Sequence, residues 1–141
     1  MIVVVDDRLL IEELLVGLDR RGAQLFTTTY WYYRACRAAV AGAGGHLSGP
    51  FRSLPDREQQ RAIAAMLRLP DDIGLAEPRR IVPLMAEVST RRPMLNLMAL
   101  EAAATARVLD APVWLSPQSA AGVLPDALDA ERIRWSVVEP S

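Results

Sequence analysis

The sequence predicts an α/β fold in three layers, α/β/α, around a mostly parallel central sheet. Ile2 to Val5 has the β-branched density of a strand buried on both faces. Helical apolar spacing follows at once, with Leu9, Leu10 and Leu14 on one face and Glu12 and Glu13 beside them. The alternation of strand and helix then returns along the chain, and strands separated by helices pair in parallel with both faces covered.

The elements follow in order. Gly17 to Gly22 closes the first helix with a polar turn ending on glycine. Gln24 to Thr29 reads as a second strand and Tyr30 to Val40 as a helix opening on aromatics. Whether Tyr30 to Tyr33 lie in the core or on the surface is open: beside arginines such a run is either a helix–sheet contact or a base-stacking platform. Gly42 to Pro50 is a glycine-rich break containing His46. Ser53-Leu-Pro-Asp56 has capping-box spacing and predicts a helix from Ser53 to about Leu69, stopped by Pro70-Asp71-Asp72.

Pro78 opens a further helix in which Ile81, Leu84, Met85 and Val88 share a face, with Pro83 early enough to be tolerated. An alanine-rich helix from about Met94 to Leu109 is suited to close packing on the sheet. Asp110-Ala-Pro turns into a strand, Val113 to Ser116; a short helix spans Ala120 to Leu128, and Ile133 to Val138 alternates as a last strand.

With 141 residues, 51% hydrophobic and 23% charged, the chain suits one domain, 1–141, with a real core. A net charge of −1 supplies no global basic field, so nucleic acid would need a local patch. All sixteen basic residues are arginine, a bias that reflects a GC-rich genome sooner than a recognition surface, although a phosphate ligand would meet only bidentate guanidinium forks. One cysteine, Cys36, and one histidine, His46, exclude an internal disulfide and a histidine-based zinc site. No segment has the roughly 18 uninterrupted apolar residues of a membrane span, and Asp6 and Asp7 interrupt any secretory h-region, so a cytoplasmic location is expected.

Asp6 and Asp7 fall at the carboxyl end of the first strand, where open α/β sheets form their ligand crevice. A carboxylate there either holds a divalent cation or caps the helix that follows.

Val3-Val-Val-Asp6 followed by Leu9-Leu-Ile, and Ala104-Thr-Ala106 running into Leu109-Asp-Ala-Pro-Val-Trp-Leu-Ser116, set an order and spacing over nearly the whole chain. That layout resembles the PIN domain, especially the small VapC-like ribonucleases of bacterial toxin–antitoxin pairs. The resemblance implies three or four carboxylates around Mg²⁺ or Mn²⁺. Asp6 matches the first. The second would fall among Tyr30 to Arg37, the third near Asn96 to Ala99 and the fourth at Pro117 or Gln118, and none of these is acidic.

Any metal would therefore rest mainly on Asp6, which alone leaves most of a dication's charge uncompensated. Glu101 stands in for a missing acid only if the late helix shifts register, and Glu12 or Glu13 only if the first helix brings them in. Asp71, Asp72 and Glu77 could return from a loop. The expected pocket is polar and metal-free, with Asp6, Asn96, Ser116 and Gln118 as its candidates and Asp7 and Glu101 beside them.

The expectation is a degenerate PIN-like domain, weakly active or inactive as a nuclease. It would act by binding RNA, an antitoxin-like protein or a second copy of itself as a homodimer through an apolar patch of the Pro78 to Arg92 helix. Two alternatives stand beside it: an active Mg²⁺- or Mn²⁺-dependent endoribonuclease with relocated carboxylates, and an unrelated small α/β binding protein.

Overall fold

The computed structural model describes residues 1–41 and 49–140. Most of the glycine-rich break, with His46, lies outside them. Among the described residues the elements run β1 (Ile2–Val5), α1 (Asp7–Leu15), β2 (Gln24–Thr27), α2 (Thr29–Ala41), α3 (Gly49–Arg52), α4 (Asp56–Leu67), β3 (Gly74–Leu75), α5 (Pro78–Arg91), α6 (Leu97–Leu109), β4 (Val113–Leu115), α7 (Pro117–Ala120), α8 (Leu124–Ala130) and β5 (Trp135–Val137). The strands form one sheet in the order β3-β2-β1-β4-β5, every pair parallel. Val3 faces Leu25 across one side of β1, and Val4 faces Val113 across the other.

The two-residue period of the strands sorts the core into two layers. Val3 and Val5 point with Leu25 and Trp114 into a cluster covered by α1, α2 and α4, where Leu9, Leu10, Ala35, Ala38 and Met66 are buried. Val4, Val113 and Leu115 point the other way, onto Ala99, Ala102, Ala103 and Ala106 of α6 and Leu124 and Leu128 of α8. The alanines explain why α6 lies so close to the sheet. Helix α5 lies against α6 and buries only Ile81 and Val88 completely. The fold is the α/β/α sandwich that the sequence predicts.

Several boundaries differ from the sequence reading, each for a local reason. The second strand stops at Thr27, because Thr28 accepts a hydrogen bond from the Trp31 amide and starts α2. Ser53 is no cap. Its hydroxyl turns back to the Pro50 carbonyl at 3.1 Å, at the end of the short α3, and α4 opens at Asp56 behind Pro55 with no side-chain cap.

The strand β3, only Gly74 and Leu75, was not predicted. It pairs with Phe26 and Thr27 of β2. A Cβ at Gly74 would run into the Phe26 ring, so glycine is required there by close approach. The late helix begins at Leu97 rather than Met94, capped by Asn96. The last predicted helix is two, α7 and α8, parted at Gly122.

Aromatics at the start of α2 divide by face: Trp31 is buried, Tyr30 and Tyr32 are half-buried and Tyr33 is exposed. Among the described residues no helix is long and apolar enough to cross a membrane.

Candidate functional site

Strands β2 and β4 flank β1 on opposite sides, so the chain reverses direction across the sheet between β1 and β4. Crevices at the carboxyl ends of such strands are the ligand sites of open α/β sheets. Asp6 follows β1 and Ser116 follows β4, which places both at this switch point.

Asp6 is fully buried and makes three hydrogen bonds. Its Oδ1 accepts from the Leu9 amide at 2.9 Å, capping α1. Its Oδ2 accepts from the Ser116 amide at 2.8 Å and the Ser116 hydroxyl at 2.7 Å. One side chain thus satisfies a helix terminus and clamps two strand ends together.

Asp7 opens α1 and reaches the crevice itself, a cavity of about 360 Å³ that it lines with Trp31, Arg34, Met98, Gln118 and Ser119 among others. It is 4% exposed. The Arg8 amide donates to its Oδ1 at 2.8 Å, and the Arg34 guanidinium lies 3.5 Å from its Oδ2. Burial, and next the neighbouring Asp6 charge, raise the Asp7 carboxyl to about 6, against the pull of Arg34. A carboxyl poised there, inside a cleft, is a group whose ionisation is held at a cost by its surroundings.

The other candidates divide. Gln118, on α7, lines the crevice beside Asp7. Ser116 lies beneath it on Asp6. Asn96 is spent on the cap of α6, where its Oδ1 accepts from the Ala99 amide at 2.9 Å. Glu101 caps a different helix: its carboxylate accepts from the Thr29 amide at 3.0 Å and the Tyr30 amide at 2.9 Å, at the start of α2.

Most of the acids considered as substitutes are also engaged, and Asp71 is exposed in the turn before β3. Glu13 accepts from the Leu18 amide and pairs with Arg20, which also reaches Asp72 at 3.1 Å. Glu12 is buried and pairs with Arg8 at 3.3 Å, and Glu77 caps α5.

Sequence reasoning missed Arg34, which stands where an acid was sought. It lies three residues after Trp31 on one face of α2, and that spacing was the available signal.

A further hollow, of about 530 Å³ and almost wholly apolar, runs between α2, α5 and α6. Tyr30, Tyr33, Ile81, Val82, Met85 and Leu97 line it. Tyr33, Val82 and Leu97 are more than half exposed. The apolar patch expected on the Pro78 to Arg92 helix is therefore shared with two other helices, and Pro78 and Val82 are its exposed members on α5.

No protein-family model matches the sequence, and no curated protein is significantly similar to it. The solved structure of VapBC-1 from nontypeable Haemophilus influenzae contains a chain that aligns over 97% of this chain and 98% of its own, with a TM-score of 0.52 and 15% identity. The fold is PIN-like.

The PIN-like fold raises the question of Mg²⁺ or Mn²⁺, and the donors present do not suit either. Asp6 Oδ2 has both lone pairs engaged by Ser116, and the residue has no exposed surface. Asp7 already carries a cation, the Arg34 guanidinium. Among the described residues no three His, Cys, Asp or Glu side chains are grouped to hold a metal. Gln118 adds a neutral donor and acceptor where a hard dication needs negative oxygen.

Proposed function

We propose that this chain is a PIN-like domain that binds without cutting RNA, as the degenerate member of a toxin–antitoxin pair, with an antitoxin-like protein as its partner. The observation that carries the reading is the engagement of the two aspartates: Asp6 is fully buried on Ser116 and the Leu9 amide, and Asp7, the carboxylate that reaches the crevice, is held up by burial with the Arg34 guanidinium beside it. Two-metal or one-metal hydrolysis needs free carboxylates to gather charge around the scissile phosphate, and here they cap helices or face arginine. The name of the aligned structure, VapBC-1, supports the toxin–antitoxin setting.

We place the partner in the apolar groove of α2, α5 and α6. Its exposed Tyr33, Val82 and Leu97 are the apolar anchors that a protein interface uses. Cys36 as the single cysteine suits the reducing cytoplasm in which such a pair would work.

The test has two arms. Purified protein is incubated with single-stranded RNA and Mg²⁺ or Mn²⁺ beside an Asp6→Asn preparation. Equal background in both is expected, and metal-dependent cleavage that Asp6→Asn removes would overturn the non-cleaving reading. The chain is also co-expressed with the product of its adjacent gene and sized by gel filtration. Co-elution that Val82→Glu abolishes is expected, and separate migration of the wild-type pair overturns the partner.

A further inference from the structure

A cavity of about 270 Å³ lies where α5 ends against α6 and α8, and it shares no lining residue with the crevice or the apolar groove. Four arginines line it, Arg91, Arg92, Arg107 and Arg132, against two acids, Glu87 and Glu131.

Glu131 organises them. Its side chain is 3% exposed, and its two oxygens receive Arg91 Nη2 and Arg92 Nε, each at 2.7 Å. Arg107 Nη2 donates to the Glu131 carbonyl at 2.7 Å and lies 3.5 Å from the carboxylate. Arg92 also donates to the Ala130 carbonyl at 2.9 Å. The Arg91 and then the Arg92 hydrogen bonds hold the Glu131 carboxyl below the usual carboxylate range, so it stays ionised near neutral pH.

A buried carboxylate needs one or two guanidiniums, and this one gathers three, with a fourth arginine on the cavity wall. The inner edges of these three are fixed by the Glu131 carboxylate and the Ala130 and Glu131 carbonyls, while the side chains of Arg91, Arg92 and Arg107 remain between 36% and 49% exposed. Their rotamer freedom is already lost on folding, so a ligand need not order them again. The cations outnumber the acids by two, and that excess repels itself until an anion enters. Planar guanidinium forks match phosphate oxygens bidentately.

We propose that this cavity binds phosphate, as one free dianion or as successive diesters of an RNA backbone. Either source carries the two negative charges that balance the site.

The experiment titrates the intact chain with inorganic phosphate, by calorimetry at pH 7.5 and ionic strength matched with chloride. In parallel, a labelled single-stranded RNA oligonucleotide is titrated across a salt series. Arg107→Gln and Arg132→Gln are compared with Arg57→Gln, a substitution of an exposed arginine on α4. Arg132 has an exposed side chain, so its variant leaves the Glu131 contacts in place.

Each site variant is expected to weaken binding about tenfold, the scale of one charge-assisted hydrogen bond, while Arg57→Gln leaves it unchanged. Weakening of inorganic phosphate alone assigns a free phosphate. Weakening of RNA, with its log–log salt slope shallower by about 0.7 per lost contact, assigns the backbone. The proposal is overturned if wild-type protein binds neither ligand, or if both site variants bind both ligands as Arg57→Gln does.

Discussion

Asp7→Asn is expected to stabilise the protein at neutral pH. A buried carboxyl held at about 6 rather than its ordinary 3.8 costs about 3 kcal/mol when ionised above both values. The sign follows from proton linkage: between those values the folded state holds more protons than the unfolded one, so this group removes stability as pH rises from about 4 to about 6 and adds it back as pH falls. Asparagine keeps an acceptor for the Arg8 amide and has no charge to bury. Its loss of the Arg34 contact is small, because Arg34 is 40% exposed and returns to water.

The expected gain is about 1–3 kcal/mol at pH 7.5, a shift on the order of 1 M in the urea midpoint, and it should vanish near pH 4. Urea denaturation of both proteins at pH 4, 5, 6 and 7.5 measures it. A variant no more stable than wild type at pH 7.5, or a gap that does not change with pH, would refute the idea that burial holds the Asp7 carboxyl up.

Ser116→Ala removes one of the two Ser116 donors to the buried Asp6 and should cost about 1–3 kcal/mol by chemical denaturation, more than an exposed serine would. Gly74→Ala drives a methyl into the Phe26 ring and should destabilise by about 1–3 kcal/mol, a loss that Phe26→Leu in the same chain partly recovers in thermal melts. Glu131→Gln leaves Arg91, Arg92 and Arg107 without their carboxylate and should cost about 1–2 kcal/mol at pH 7, the scale of lost charge-assisted hydrogen bonds, since these half-exposed arginines return to water. Because the folded carboxyl of Glu131 titrates below its ordinary 4.5, wild type should lose that advantage as pH falls below about 4.5, so the two proteins' urea midpoints should converge in acid.

What could be read from the sequence was whatever repeats locally. The apolar run of β1 and the alanines of α6 announced their burial, because each is written in consecutive residues or at one helical spacing. The cap of α1 was readable as well, since Asp6 and the Leu9 amide are three residues apart. Strand β3 was not, because two residues carry no period and its existence depends on edge hydrogen bonds offered by β2. Ser53 carried a capping signal that the structure overrides, since the short α3 captures its hydroxyl first.

The partners of site residues were harder still. Ser116 lies 110 positions from Asp6, and Glu101 lies 71 positions from the Tyr30 amide it accepts from. No window of sequence contains either pair. The guanidiniums around Glu131 come from separate helices, so a count of arginines says nothing of their meeting.

The clamp between Asp6 and Ser116 also sets a timetable. A ribosome adding about 5–20 residues per second delivers Ser116 roughly 6–22 s after Asp6. During that interval β4 does not exist, and β1, central in the finished sheet, is an open edge of Ile-Val-Val-Val. An edge of that composition is what invites pairing between chains. A transcript truncated before codon 113 would therefore yield a polypeptide with its stickiest strand uncovered, one that a cell must shield or degrade.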